Sequence, residues 1–405
     1  MRPRRRAVGL AFGAVLLFAV GTSVQAGWLL VIASCLLGAV VAGLILPRRM
    51  VRGIEVERRA HAESFQGDEV RIDLVVTNRS RGARLAVELR DEHVAPARAF
   101  LPRLWPGERV IVETHRPASR RGVHVTDRVV VASGAPFGVA EARRRVDAVS
   151  ETVVHPRLVR LDDLPFLQAA PTPERAMHSA PRRGGGPEYL GVREYRTGDS
   201  LRHVHWPSTA RHGEIMVREF EREQTRRLAI VVDAMTDAGA GETPLDRCCS
   251  VAASVAFAAQ TAGQGVRVVA AADGEPISIA RAEPHALLRW LAELRPGGGL
   301  PLADVLALLG PEVLGAETVL LALPTWRANS LEALADAVAD LVWRAPGVVA
   351  VLVEAHTFEG VDRAPHLEPD DVGALADALR TAGALVCRLG AETDMAELAR
   401  ARVLA

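Results

Sequence analysis

Three side chains between residues 199 and 205 could transfer protons: Asp199, His203 and His205. A carboxylate and imidazoles are common general acids and bases, so a hydrolase that uses these residues is one hypothesis. Their spacing carries no nucleophile motif, and function must be argued from a complete site. A structural or partner-binding role for this part of the chain is therefore favoured over catalysis.

Two further carboxylates, Asp233 and Asp237, directly follow an apolar stretch. Oxygen ligands of this kind bind hard cations such as Mg²⁺. Met235 lies between them and offers a thioether, a soft ligand that is poorly suited to that ion. We therefore expect a degenerate site without metal, in which Asp233 accepts a hydrogen bond from its neighbours.

The proton-transfer candidates lie in a glycine-rich and then densely charged segment, residues 184–227, called the signature segment below. Its Gly and Pro residues exclude one long helix. Because arginine binds carboxylates through two parallel hydrogen bonds, we predict a pinned loop network here. The predicted buried charge pairs involve Arg193, Asp199, Arg202 and Arg211. The candidate interaction residues are Glu188, Arg193, Glu194, Tyr195, Gly198, Asp199, Arg202, Trp206, Arg211 and Arg218.

The signature segment resembles that of the bacterial "domain of unknown function fifty-eight" family. The matching pieces are Gly186, Glu188, Arg193–Tyr195, Gly198–Asp199, Arg202, Trp206, Ala210–Arg211, Val217–Arg218 and Val231–Asp233. Two positions depart from the family pattern, because His205 replaces the usual acid and Pro207 follows Trp206. The resemblance implies a von Willebrand factor A-like domain and a MoxR-type AAA+ ATPase as partner. It also implies a role in assembling or remodelling other proteins.

The resemblance further implies three loops that hold a metal ion in A domains, and each departs from the family pattern here. The first reads Asp-Ala-Met-Thr-Asp at residues 233–237, where the family has Asp-x-Ser-x-Ser. Leu300 replaces the usual Thr of the second loop, and residues 323–326 lack the usual acid of the third. We therefore expect neither a metal ion nor another cofactor.

The composition excludes several classes of function. Basic and acidic residues are equal at 49 each, so there is no global charge that favours nucleic acid. The glycine runs 184–186 and 297–299 are not followed by Gly-Lys-Ser/Thr, so nucleotide binding is not expected. The four cysteines show neither disulfide nor metal spacing, which suits a reducing compartment.

Residues 1–50 contain two apolar stretches, Ala7–Val20 and Trp28–Leu46, and a spanning helix needs about 20 residues. Arginines flank both outer ends and none lies between the stretches, which predicts a transmembrane helical hairpin with both ends cytoplasmic. A cleaved signal peptide is the alternative for Ala7–Val20, because residues 24–26 resemble a cleavage site. Both possibilities stay open.

Short alternating strands with Pro and Gly turns predict an antiparallel β-sandwich over residues 51–155. Residues 156–183 contain several prolines and charges, which predicts an extended, partly mobile linker. In residues 228–405 apolar strands alternate with amphipathic helices, which predicts a mainly parallel sheet in an α/β domain. The last predicted helix covers Asp394–Arg402.

The leading hypothesis is a multi-pass cell-membrane protein with cytoplasmic soluble domains. Its expected partners are the lipid bilayer and a protein, which the resemblance implies is a MoxR-type AAA+ ATPase, with no nucleic acid or nucleotide. It is expected to be a scaffold or interaction protein and not an enzyme. The alternatives are the hydrolase above and a metal-dependent adhesion module facing outwards.

Overall fold

The structure, a computed structural model, describes residues 2–3, 5–91, 97–161, 164–168, 184–194, 204–220, 227–272, 275–280, 282–297, 299–309, 318–327, 330–345, 347–361 and 364–400. The chain divides into two compact units, residues 1–156 (unit 1) and 157–405 (unit 2). Each unit has hydrophobic core clusters of its own.

Unit 1 begins with two apolar helices, α1 (Arg5–Ser23) and α2 (Gly27–Met50). Helix α2 is long and apolar enough to cross a membrane, by length and composition alone, and α1 contributes a shorter apolar stretch. The helices pack side by side with their tight connection near Gly21, which lies against Leu30. One candidate membrane helix is therefore present, and the two-span hairpin stays a prediction.

The rest of unit 1 consists of two β-sheets. Their strands are β1 (Arg2–Pro3), β2 (Ile54–Ala60), β3 (Glu63–Phe65), β4 (Glu69–Asn78), β5 (Arg84–Arg90), β6 (Arg98–Leu104), β7 (Arg109–Pro117), β8 (Gly122–Ser133) and β9 (Ala140–His155). One sheet has the order β1-β9-β8-β5-β6, with β3 parallel to β9, and the other has the order β2-β4-β7. Alternate residues of β2 and β4 are buried, as one-sided sheets require.

Charged side chains connect the strands of unit 1. Arg58 of β2 and Asp91 form an ion pair whose side chains are 0% and 2% exposed. Glu141 of β9 accepts hydrogen bonds from Arg90, at 2.9 Å, and from Arg143, at 2.6 Å. Partial burial raises the pKa of Glu141, but the bonds from Arg143 and Arg90 outweigh it and bring this pKa to about 2.

Unit 2 contains the mainly parallel sheet expected from its sequence. Its strands follow the order β14-β13-β12-β15-β16-β17, and only β14, at one edge, is antiparallel to its neighbour. They are β12 (Arg227–Val232), β13 (Gly265–Ala272), β14 (Glu275–Ala280), β15 (Thr318–Pro324), β16 (Gly347–Val353) and β17 (Leu385–Leu389).

Helices cover both faces of this sheet, because alternate strand residues enter two different core clusters. The described helices of unit 2 are α3 (Pro165–Gln168), α4 (Trp206–His212), α5 (Pro244–Thr261), α6 (Pro284–Glu293), α7 (Leu302–Leu308), α8 (Leu331–Arg344) and α9 (Pro369–Thr381). Ile230 of β12 packs in the first cluster with helices α5 and α6, while Val231 packs in the second with α7, α8 and α9. Two 3₁₀ helices cover Ala355–Thr357 and Met395–Arg400.

Two segments of unit 2 add detail to the sequence-based expectation. The described start of the expected linker is packed, because Leu161, Leu164 and Phe166 enter the first core cluster. The described part of the last predicted helix, Asp394–Arg402, forms a 3₁₀ helix over Met395–Arg400. Met395 and Leu398 are both buried there, and a spacing of three residues places both on one side of a 3₁₀ helix.

Candidate functional site

The described residues of the signature segment form a strand pair and a short helix, and the expected network of charged side chains stays a prediction. Strands β10 (Gly184–Glu194) and β11 (Met216–Phe220) pair antiparallel, so that Glu194 faces Met216 and Val192 faces Arg218. The pairing register shifts at Tyr189, after the glycine run. Glycine accommodates such bulges because it lacks a Cβ atom.

Helix α4 is tied to strand β11 by hydrogen bonds at its first turn. The backbone N–H of His205 donates to the Met216 carbonyl at 2.8 Å, and the Met216 N–H donates to the Thr209 hydroxyl at 3.0 Å. Gly213 ends the helix with a φ of 77°, a left-handed conformation that glycine adopts without strain. These bonds fix the position of α4 on the strand pair.

The imidazole of His205 takes part in the start of this helix. Its Nδ1 lies 2.8 Å from the hydroxyl oxygen of Ser208, three residues later. His203 and Asp199, its expected acid–base companions, lie outside the described residues. The described contacts of His205 are therefore those of a helix start, and they place no substrate-facing catalytic group.

Trp206 and Arg211 both lie on the solvent-exposed side of α4. The Trp206 side chain is 71% exposed, and Arg211 is also exposed. The expectation that Arg211 belongs to a buried charge pair is therefore wrong. Two of the other predicted pair members, Asp199 and Arg202, lie outside the described residues, as do Tyr195 and Gly198. For Glu188, Arg193, Glu194 and Arg218, the backbone alone is described.

The carboxyl ends of the parallel strands are the second candidate site, because open α/β sheets bind ligands there. Asp233 follows β12 and is 4% exposed, and its Oδ1 accepts a hydrogen bond from the Met235 N–H at 3.0 Å. The Asp237 Oδ1 accepts from the Leu245 N–H, at 3.2 Å, in the first turn of α5. Both carboxylates therefore stabilise backbone groups of their own loop and the helix that follows.

In the third loop at this edge, the hydroxyl of Thr325 also binds a backbone group. Thr325, directly after β15, is 1% exposed and its hydroxyl accepts from the Ala355 N–H at 3.0 Å. The Gly297 N–H donates to the Ala234 carbonyl at 3.1 Å and joins the second loop to the first. The first and second loops are thus joined by backbone groups, and the third loop is joined to the segment that follows β16.

Charged residues that sequence reasoning did not identify reinforce this edge. Arg247 of α5 is 3% exposed and donates to the Gly390 and Thr393 carbonyls, and burial lowers its pKa. Arg388 donates to Glu354 at 2.5 Å. An arginine inside an otherwise apolar helix is the sequence signal that could have identified Arg247, because a buried charge needs partners.

Comparisons with known proteins identify part of the chain. Residues 191–312 match the family model described as "Protein of unknown function DUF58". No curated protein matches the sequence.

Two of the similar solved structures are sugar-cleaving enzymes. A mutant beta-glucosidase from Listeria innocua is 17% identical, with a TM-score of 0.13, over 25% of this chain and 16% of its own. An exo beta-N-acetylglucosaminidase from Vibrio harveyi is 11% identical, with a TM-score of 0.18, over 74% of this chain and 57% of its own. The chain thus spans well under two thirds of either protein, and these scores assign no fold.

Proposed function

This chain is a member of the DUF58 family through residues 191–312, and from that premise we propose that it is a membrane-anchored, non-enzymatic interaction protein. Its soluble units lie on the cytoplasmic side, and its partner is a MoxR-type AAA+ ATPase with which it assembles or remodels other proteins. Residues 228–405 form a von Willebrand factor A-like domain. The strand order of unit 2, with one antiparallel edge strand, supports this.

The exposed Trp206 is the observation that carries the interaction function. Its indole is 71% exposed although it begins a helix that hydrogen bonds fix on β11. Exposed aromatic side chains on a rigid element are typical of binding hot spots, because they bury a large area without losing much conformational entropy. A protein partner that covers this indole is therefore favoured.

The polar groups of the sheet edge support binding over catalysis. Asp233, Asp237 and Thr325 accept hydrogen bonds from backbone N–H groups of their own loops. A catalytic group must instead reach the proton that it transfers. Their hydrogen bonds hold the loops of this edge in place, which supports a binding function.

The apolar surface of α2 supports the membrane anchor. Several large side chains of α2 are exposed, including Val31, Ile32, Leu37, Val41 and Ile45. Apolar surface of this kind is stabilised when lipid replaces water around it. Arg48 and Arg49 follow the apolar stretch directly and favour a cytoplasmic position for that end.

Capture of partners from native membranes with the full chain tests the interaction function. We expect mass spectrometry to identify an AAA+ ATPase with the natural chain and to show its loss with Trp206→Ala. Trp343→Ala is the matched control, because Trp343 is 90% exposed on α8 but lies outside residues 191–312. Circular dichroism of both variants checks that they fold. Equal capture by both variants, or no ATPase with the natural chain, contradicts the proposal.

Reporter fusions test the topology. Fusions after Arg52 and at the C-terminus should both report cytoplasm, because arginines flank the outer ends of the two apolar helices. An exported C-terminus, or a mature chain that begins near Gly27, contradicts the hairpin.

A further inference from the structure

The turn between strands β8 and β9 packs directly on helix α2. Val139, at the end of this turn, is 1% exposed and shares a small apolar cluster with Val40, Leu44 and Ala11. A Cβ atom added to Gly43 would lie 2.8 Å from the Cβ of Val139. The absence of a side chain at Gly43 therefore allows this close contact.

The contact lies within the apolar part of α2 and not beyond it. Trp28–Leu46 would span about 28 Å as a helix, which matches a hydrocarbon core of about 30 Å. Gly43 precedes Leu46 by three residues, so it lies about 4.5 Å inside the end of the apolar stretch. When α2 spans a bilayer, Val139 therefore lies just inside the boundary of the hydrocarbon, at the level of Gly43.

The start of the chain lies beside the same turn. Arg2 and Pro3 pair with Glu141 and Ala140 of β9, just before helix α1 begins. The strand that follows the turn is therefore adjacent to both apolar helices. This fixes which part of unit 1 faces the membrane boundary.

We propose that the turn Ala135–Val139 is a lipid-binding surface of unit 1, with Phe137 inserted among the headgroups of an anionic bilayer and Arg48 and Arg49 paired with lipid phosphates. Phe137 is 56% exposed, while Ala135 and Val139 on either side of it are buried. Aromatic rings are favoured at the membrane interface, and arginines just outside the apolar core are attracted to anionic headgroups. This inference rests on the proposed membrane anchor.

A fluorescent probe on one accessible cysteine tests the surface in the full chain. In the variants Phe137→Cys, Val149→Cys and Val31→Cys, Cys35 and Cys387 are replaced by alanine, and the buried Cys248 and Cys249 are kept. The introduced cysteine is labelled with an environment-sensitive dye. They are reconstituted in nanodiscs of equal parts phosphatidylcholine and phosphatidylglycerol, with or without lipids that carry a quencher near the headgroup.

Two of these positions serve as controls. Val149 is 68% exposed, more than Phe137, but lies nine residues beyond Ala140 in β9, about 30 Å along the strand. Val31 is exposed in α2 and reports whether the helix is in the bilayer at all.

We expect the probe at Phe137 to emit at shorter wavelength than the probe at Val149, and to be quenched several-fold more strongly by the quencher lipid. Replacing phosphatidylglycerol by phosphatidylcholine, or replacing Arg48 and Arg49 by glutamine, should reduce this quenching. A probe at Phe137 that behaves like the probe at Val149, while the probe at Val31 is in lipid, overturns the inference and leaves the anchor intact. If the probe at Val31 is also in water, the anchor itself fails.

Discussion

Arg58 of β2 carries a charge that the core of unit 1 buries completely, and Asp91 supplies the carboxylate that pairs with it. Replacing Asp91 with alanine leaves the guanidinium with two carbonyl contacts, to Ala148 at 2.9 Å and to Arg128 at 3.4 Å, and without a counter-charge. Removing one partner of a buried pair typically costs about 3–5 kcal/mol. We therefore expect Asp91→Ala to lower the free energy of unfolding of unit 1 by about this amount.

Hydrogen exchange of the full chain, read by mass spectrometry, measures this loss on peptides of β2 and β4. Since each 1.4 kcal/mol is a factor of ten, slow amides that exchange through unfolding of unit 1 should exchange between about a hundredfold and a few thousandfold faster. Peptides of unit 2 provide an internal reference in the same sample.

Two further variants separate burial of charge from loss of a contact. Glu55→Ala removes the Arg79–Glu55 pair, whose side chains are 66% and 62% exposed, and should change the exchange rates very little because solvent screens exposed charges. The double variant Asp91→Ala, Arg58→Met removes both buried charges and should recover much of the lost stability. If Asp91→Ala costs no more than Glu55→Ala, the argument from burial is refuted.

Four other predictions concern single groups. The pKa of Glu141 lies at about 2 and its ordinary value is 4.5, so its stabilisation is present above pH 4.5 and is lost as pH falls towards 2. Glu141→Gln should make the melting temperature depend less on pH between 4.5 and 2. An unchanged pH dependence would contradict the lowered pKa of Glu141. Burial raises the pKa of the Cys387 thiol to about 11. Its alkylation at pH 8, monitored by mass spectrometry, should therefore be much slower than that of a free cysteine. Comparable rates would refute this prediction. Asp237→Ala should cost about 1 kcal/mol in chemical denaturation because it removes an acceptor at the start of α5. Calorimetric titration with Mg²⁺ should show no specific binding to the natural chain or to the Asp237→Ala variant. Stoichiometric binding that Asp233→Ala abolishes would instead show that a metal site is present.

The sequence by itself determined most of the strands and helices in residues 228–389. The periodicity predicts a strand at Leu385–Leu389, and the structure has β17 at the same residues. Buried parallel strands are continuous apolar runs, and the helices between them repeat every three to four residues, so both patterns are local. The pattern also predicts a helix at Asp394–Arg402, and its described part is a short 3₁₀ helix that buries Met395 and Leu398.

The linker shows where composition misleads. Prolines and charges predict an extended segment from residue 156 onwards, but Leu161, Leu164 and Phe166 are spaced closely enough to pack in the core of unit 2. Their burial depends on a surface formed by β12 and α5, which a local pattern does not contain. In the signature segment, the pairing of β10 with β11 likewise joins residues more than 20 positions apart.

Only the tertiary structure decided the role of the charged groups. The sequence places Asp233 and Asp237 after a strand, but the positions of the Met235 and Leu245 N–H groups decide that these carboxylates bind backbone. Sequence analysis predicted a buried brace around Arg211, which is exposed, and missed the buried pair of Arg58 and Asp91, 33 residues apart. The physical reason is that a charge is identical in the sequence whether buried or exposed, and only the packing of distant segments sets its solvation and its partner.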